Sequence, residues 1–89
     1  MIQEQLTIIN KLGLHARAAA KLVGVAGQYE SHITLRKDGR EADAKSIMSV
    51  MMLAASQGSD LTVDIDGPDA AEAWTAILAL VQDRFGEAE

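Results

Sequence analysis

Apolar and polar residues alternate along four stretches of this chain, residues 2–9, 31–37, 40–44 and 61–66. Alternation with a period of two predicts strands that each bury one face. Between and after these stretches, apolar residues recur at three- and four-residue spacing, which is the period of a helix. The helical stretches cover residues 16–26, 47 to about 54 or 55, and 70 to about 85. The predicted order of elements is therefore β-α-β-β-α-β-α.

Short signals between these stretches support the boundaries. Asp38-Gly39 is typical of a tight hairpin, because glycine adopts the positive φ that such a turn requires. Ser46 and Asp69 each precede a helical stretch, where a side-chain oxygen can accept a hydrogen bond from a free backbone N–H. We expect both residues to be N-caps.

The order of elements predicts one amphipathic sheet with its apolar face covered. A right-handed β-α-β crossover leaves a gap that the last strand can fill. We therefore expect an α+β fold, an open-faced β-sandwich with a four-stranded antiparallel sheet covered on one face by three helices. At 89 residues the chain is expected to form a single domain, residues 1–89. With 48% apolar but only 3% aromatic residues, its core must be aliphatic and rich in alanine.

Composition excludes several classes of function. A net charge of −5 and scarce aromatics argue against a nucleic-acid binder, which needs a basic face or stacking platforms. The absence of cysteine excludes disulfides and thiolate chemistry. No apolar run approaches the ~20 residues of a membrane span, and the N-terminus is no signal peptide. We expect a cytoplasmic protein, monomeric, without a metal or cofactor.

The junction between the first strand and the first helix is the best candidate for chemistry. His15 lies there, with Arg17 two residues further along. A helix start has free N–H groups and a positive dipole end, so it favours an anion. Imidazole is a good nucleophile at pH 7, and Arg17 can donate a forked pair of hydrogen bonds to phosphate. The competing interpretation is an exposed junction residue beside an ordinary surface charge.

No acidic residue lies near His15 in the sequence to orient its ring, but a backbone carbonyl or a residue remote in sequence could do so. His32 falls on the polar side of a strand and is predicted to be an ordinary surface residue. Asp64 and Asp66 are predicted to lie on a solvated face rather than to bind a metal. Nothing in the sequence assembles a hydrolytic triad. Chemistry at an exposed site shared with a partner protein is the better prediction.

The second helix has more apolar residues than one buried face can hold. Its predicted buried stripe is Ile47, Val50, Leu53 and Ala54. Three further apolar residues lie outside this stripe, Met48, Met51 and Met52. Methionine is frequent on surfaces that meet several partners, although a loosely packed core is the alternative. Ser46 also allows two interpretations, a plain N-cap or a phosphorylation site that would add charge beside an apolar docking patch.

Two segments of the sequence resemble the HPr family. These are residues 9–17, Ile-Asn-Lys-Leu-Gly-Leu-His-Ala-Arg, and residues 44–51, Ala-Lys-Ser-Ile-Met-Ser-Val-Met. HPr is the histidine-containing phosphocarrier protein of the bacterial phosphoenolpyruvate:sugar phosphotransferase system. The similarity extends over nearly the whole chain, including the Asp38-Gly39 turn and the Phe85-Gly86-Glu87 ending.

The resemblance implies a function in sugar transport or its regulation. His15 would be phosphorylated on Nδ1 by enzyme I and would pass the phosphoryl group to a histidine of an EIIA domain. Arg17 would stabilise the phosphate. Ser46 would match the regulatory serine modified by an HPr kinase/phosphorylase, and a docking patch would comprise Ile47, Met48 and Met51. Such a protein is more a carrier with a covalent phosphohistidine intermediate than a self-contained enzyme.

The chain departs from the family at Ala18, where proline is usual. Proline suits the first turn of a helix, so its absence is expected to loosen the junction slightly. Ala54 and Ala55 also replace common glycines. Two alternatives to a sugar phosphocarrier therefore stay open. One is a regulatory protein of a nitrogen-related or incomplete phosphotransferase chain, which binds partners according to its phosphorylation. The other is a non-phosphorylated adaptor that uses only the methionine patch.

Overall fold

A computed structural model describes all 89 residues of the chain. Its elements are, in chain order, β1 (Ile2–Thr7), α1 (Ala16–Ala26), β2 (His32–Lys37), β3 (Arg40–Asp43), α2 (Ile47–Met52), β4 (Asp60–Asp66) and α3 (Ala70–Gln82), followed by one 3-10 turn at Arg84–Gly86. The predicted β-α-β-β-α-β-α order is confirmed, and so is the α+β class.

The four strands form one antiparallel sheet in the order β1-β4-β2-β3. The last strand, β4, lies between β1 and β2 and fills the gap left by the first crossover, as predicted. Ile65 of β4 is directly opposite Ile2 on one side and Ile33 on the other. A slip of one residue would turn this apolar row to the opposite face, so burial specifies the register strongly.

The core between the sheet and the helices is almost wholly aliphatic. Ile33, Leu35 and Val63 of the sheet are 0% exposed, and α1 contributes buried alanines, which let its backbone lie close to α2 and α3. Phe85 is the one fully buried aromatic residue. Each large aliphatic side chain stabilises the fold by about 1.5–3 kcal/mol on burial. The small, aliphatic core predicted from composition is therefore present.

The uncovered face of the sheet is polar, but Asp64 on it is not solvated. Its Oδ2 lies 2.5 Å from Arg36 Nη2, and its Oδ1 accepts a hydrogen bond from Gln3 Nε2 at 2.8 Å. Only 11% of its side chain is exposed. The prediction of a solvated Asp64 is therefore wrong, because the neighbouring strands bring an amide and a guanidinium over its carboxylate. Asp66 and His32 are exposed, as predicted.

Several elements end earlier in the chain than predicted. β1 ends at Thr7 rather than at residue 9, and α3 ends at Gln82 rather than near residue 85. Arg84 and Phe85 have φ of 54° and 56°, in the left-handed region, which a right-handed helix cannot continue through. No helix of the structure has both the length and the apolar character needed to cross a membrane.

The second helix is also shorter than predicted, because Ala54 has a φ of 51° and stops it after Met52. Val50 and Leu53 are buried, as expected. The other two members of the predicted buried stripe are not: Ile47 is 38% exposed and Ala54 is exposed. A helix of six residues has too few turns to bury a stripe of four.

Asp69 lies at the start of α3, but its side chain makes no capping hydrogen bond. Its carboxylate instead accepts hydrogen bonds from the backbone N–H of Glu30 at 2.8 Å and from both the backbone N–H and the hydroxyl of Ser31. The predicted capping role is therefore wrong, since the loop before β2 supplies these donors. These hydrogen bonds, led by that from the Ser31 hydroxyl, lower the pKa of Asp69 below its ordinary value of 3.8.

We predict that Asp69→Asn lowers the free energy of unfolding at neutral pH. The free energy of unfolding of this variant should also fall less on acidification than that of the wild type. Because the pKa of Asp69 is lowered by folding, its contribution is present above the unfolded pKa of 3.8 and is lost as pH falls through the folded pKa. Urea unfolding from about pH 6 to pH 2 should therefore show that Asp69→Asn is less stable than the wild type at neutral pH, by a difference that becomes smaller as pH falls. Asp66→Asn, at an exposed residue without a side-chain hydrogen bond, is the matched control. A difference in the free energy of unfolding that is the same at every pH would contradict this contribution of the ionised Asp69 carboxylate.

Candidate functional site

His15 stands at the junction of a loop and α1, as predicted. It is the N-cap residue, with extended backbone (φ −72°, ψ 176°), and its side chain makes no capping hydrogen bond. Its carbonyl accepts the N–H of Ala19 at 2.8 Å, which opens the helix. The imidazole is 28% exposed, so the ring is available for reaction and is also held by neighbours.

The first turn of α1 presents unpaired donors beside this ring. The N–H groups of Ala16, Arg17 and Ala18 donate to no backbone carbonyl, and the turn has no acidic residue. Arg17 is exposed, forms no ion pair and lines an open groove with His15. The helix dipole and the guanidinium therefore both favour an anion next to the imidazole.

The loop that leads into His15 requires glycine at position 13. Gly13 has a φ of +68°, and an added Cβ would lie 2.5 Å from the carbonyl oxygen of Ala55. That carbonyl accepts the N–H of Leu14 at 2.8 Å. The segment after α2 therefore packs directly on the loop that positions His15.

Glu87 is the site residue that sequence reasoning missed. Its Oε2 makes a short contact with Nε2 of His15, and its Oε1 accepts a hydrogen bond from Nδ2 of Asn10 at 3.0 Å. The hydrogen bond from His15, followed by that from Asn10, lowers the pKa of Glu87 below its ordinary value of 4.5. Of the two alternatives left open for orienting His15, the residue remote in sequence is the correct one. The one signal at Glu87 was the Phe85-Gly86-Glu87 ending in the family resemblance, which assigned it no role.

The C-terminal segment is held in place at several points. Phe85 is buried in the core, and its carbonyl accepts a hydrogen bond from Lys21 Nζ of α1 at 2.6 Å. Gly86 has a φ of +77°, which turns the chain toward the groove. Beyond Glu87, Lys11 donates its N–H to the carbonyl of Glu89 and pairs with the Glu89 carboxylate at 3.3 Å. Glu87 is thus presented to His15 by a chain anchored on both sides.

Ser46 is the N-cap of α2, as predicted, and its hydroxyl accepts the N–H of Ser49 at 3.4 Å. The helix that follows exposes large apolar side chains. The exposed fractions are 38% for Ile47, 68% for Met48, 38% for Met51 and 69% for Met52. We call these four residues the α2 patch. The exposure of the methionines argues against the alternative of a loosely packed core.

Leu12, in the loop before His15, is a further large apolar residue at the site, and 67% of it is exposed. It lines the same groove as His15 and Arg17. Sequence reasoning did not single it out. The structure contains no group of three histidine, aspartate or glutamate side chains arranged to bind a metal ion.

We predict that Gly13→Ala destabilises the fold and disturbs His15. A non-glycine residue at positive φ costs roughly 1–3 kcal/mol, and here the new Cβ also collides with the Ala55 carbonyl. Gly39→Ala is the control, because Gly39 has a φ of +79° but no atom within 4 Å of an added Cβ. Urea unfolding should show the larger loss for Gly13→Ala, and only this variant should shift the NMR signals of the His15 ring. Equal losses would contradict the collision.

Comparison with known proteins agrees with this geometry. The family model described as PTS HPr component phosphorylation site matches residues 2–83. The phosphocarrier protein HPr of Cupriavidus necator is 58% identical over 89 residues and covers 100% of both chains. The HPr of Xylella fastidiosa strain Temecula1 is 53% identical over 87 residues, 98% of each chain. The crystal structure of HPr-C-His from Thermoanaerobacter tengcongensis matches with a TM-score of 0.96 at 40% identity, covering 100% of both chains.

The fold and the site together define an open-faced β-sandwich that presents one histidine at the start of a helix. With these relatives the assignment can be made specific. The chain belongs to the HPr family, the phosphocarrier proteins of the phosphotransferase system.

Proposed function

We propose that residues 1–89 act as a single phosphocarrier domain in which Nδ1 of His15 accepts a phosphoryl group from phospho-enzyme I and passes it to a histidine of an EIIA domain. The observation that carries this proposal is the contact between Glu87 and Nε2 of His15. Membership of the HPr family supports the pathway. The protein works as a monomeric carrier in the cytoplasm and is not a self-contained enzyme, since the partners supply both donor and acceptor.

Glu87 determines which ring nitrogen reacts. Its pKa is lowered, so its carboxylate is ionised at neutral pH and can only accept hydrogen bonds. The proton in the contact must therefore belong to Nε2 of His15. In a neutral imidazole the other nitrogen, Nδ1, then has no proton and carries the nucleophilic lone pair.

The transfer step follows from this arrangement. The Nδ1 lone pair of His15 attacks phosphorus, and the bond from phosphorus to the donor histidine breaks, returning its electron pair to the donor nitrogen. Arg17 and the free N–H groups of the first turn of α1 stabilise the negative charge that arrives with the phosphoryl group. Nε2 keeps its proton, held by Glu87, and onward transfer to EIIA is the same step in reverse.

Partner proteins dock on the α2 patch, of which Ile47, Met48 and Met51 are the principal contacts. The patch is apolar and exposed, and the segment after α2 packs on the loop that positions His15. Enzyme I and EIIA need access to the same imidazole, so one adaptable surface must serve both. Flexible methionines suit such a surface, because they repack against different partners.

The test is phosphorylation by phosphoenolpyruvate and enzyme I, followed by phosphorus NMR for an acid-labile phosphate. We predict labelling of the wild type and none of His15→Ala. His32→Ala, at the exposed second histidine, is the control and should be labelled normally. Arg17→Ala should lower kcat/KM roughly 10- to 100-fold, since a charge-assisted hydrogen bond contributes about 1.5–3 kcal/mol. Labelling of His15→Ala would overturn the proposal. A wild type that is never labelled would also overturn it, and would favour the adaptor.

Ser46 is proposed as a regulatory phosphorylation site for an HPr kinase/phosphorylase. It is half-buried at the start of α2, next to Ile47 of the patch. A phosphate there suits the helix N-terminus but places charge beside a surface that partners must desolvate. Phosphorylation of Ser46 would therefore weaken docking without unfolding the helix.

We predict that Ser46→Asp lowers kcat/KM for phosphorylation by enzyme I about tenfold, and that Ser46→Ala does not. Stability should change in the opposite sense, because aspartate caps a helix and alanine loses about 1 kcal/mol of capping. Thr75→Asp, which adds the same charge on the exposed side of α3, controls for net charge. Equal rates for the two Ser46 variants would reduce Ser46 to a cap.

A further inference from the structure

We propose that Asn10 is a positioning residue of the phosphoryl site: its buried carboxamide holds the Glu87 carboxylate against His15 and so keeps Nδ1 free of a proton. The inference rests on the proposed function and extends it to a residue in the loop before His15. Asn10 does not touch the reacting atoms and acts through Glu87.

The hydrogen bonds of Asn10 converge on the site from two sides. Its side chain is 0% exposed, and Nδ2 donates to the carbonyl of Gly13 at 2.8 Å and to Oε1 of Glu87 at 3.0 Å. The second oxygen of Glu87 is the one that contacts His15. The carboxylate is therefore held at both oxygens, and its orientation toward the imidazole depends on the amide behind it.

The orientation of the Asn10 amide is determined by these acceptors. Both Nδ2 hydrogens are used, whereas the buried Oδ1 has no hydrogen-bond partner. Rotating the amide by 180° would place Oδ1 against the Gly13 carbonyl and the Glu87 carboxylate, which are acceptors only. A buried polar atom without a partner is destabilising and needs a reason. Here the reason is that the site requires two donors at this point.

Asn10 also links the two segments whose relative position allows Glu87 to contact His15. Gly13 belongs to the loop that ends in His15, and Glu87 belongs to the C-terminal segment, 77 residues from Asn10 in the sequence. Without the amide, Glu87 would keep its anchors on either side but would lose the bond that fixes the rotation of its carboxylate. The same hydrogen bond contributes to the lowered pKa of Glu87, second to that from His15.

The test measures the tautomer of His15 in unphosphorylated protein by nitrogen-15 NMR at a pH where the ring is neutral. We expect the wild type to hold its proton on Nε2. Asn10→Leu, which keeps the volume without donors, and Asn10→Ala should both increase the Nδ1–H fraction at least severalfold. Gln3→Ala is the matched control, since Gln3 also donates an amide hydrogen bond to a carboxylate, that of Asp64 at 2.8 Å. It should leave the tautomer unchanged.

A double variant distinguishes positioning from simple support of the loop. In a Glu87→Gln background, the effect of Asn10→Ala on the tautomer should disappear, because both changes break the same chain of contacts. In the single variants, kcat for phosphorylation by enzyme I should fall about tenfold at unchanged KM. Folded Asn10 variants with the wild-type tautomer, or additive effects in the double variant, would overturn the proposal.

Two outcomes separate this proposal from the proposed function. If the tautomer shifts as expected but enzyme I does not label the wild type, the carrier function fails and the positioning of His15 stands. If the wild type is labelled but the His15 tautomer is the same in the Asn10 variants as in the wild type, only the positioning role of Asn10 fails. Should both Asn10 variants unfold, Glu87→Gln, which replaces a residue outside the core, is measured at two places. The His15 ring must lose its preference for Nε2–H, and the NMR signals of the Asn10 side-chain amide must shift, because that amide donates to Glu87. An unchanged tautomer or unchanged amide signals would overturn the proposal.

Discussion

An ionised carboxylate that is largely withdrawn from water needs hydrogen-bond donors, and Glu87 finds them in Asn10 and His15. This requirement draws together the loop after β1, the start of α1 and the C-terminal segment. The anchors around it serve the same arrangement, with Phe85 buried in the core and Lys21 bonded to the Phe85 carbonyl. A residue of the C-terminal segment is thereby brought into contact with the imidazole of His15.

The rest of the fold keeps this edge of the molecule rigid while leaving it open. Ala18 and Ala19 are fully buried and α1 packs against α2 and α3, so the start of α1 cannot shift without opening the core. The site lies at the N-terminus of α1, where Ala16 and Arg17, whose N–H groups have no backbone acceptor, are exposed. This combination suits the proposed carrier function, in which two partners reach the same side chain and gain from finding it already in position.

Ala18, the departure from the usual family pattern, has a physical consequence that the sequence only suggested in part. Its N–H donates to no backbone carbonyl, so the proline of other family members would cost no hydrogen bond at this position. Ala18 itself is 0% exposed, so its methyl group fills the core while its N–H is not open to solvent. The looser junction expected from the loss of proline stays a prediction.

Local patterns in the sequence by themselves determined the order of strands and helices, the covered face of the sheet, the place of His15 and Arg17 at a helix start, and the capping position of Ser46. Periodicity and capping depend on neighbours a few residues away, so both can be predicted from the sequence. Only the tertiary structure decided the partners of His15, Asp64 and Asp69, which lie between 28 and 72 residues away in the sequence. Hydrogen bonds over such separations follow from how the sheet and the tail fold back, and no local pattern encodes them.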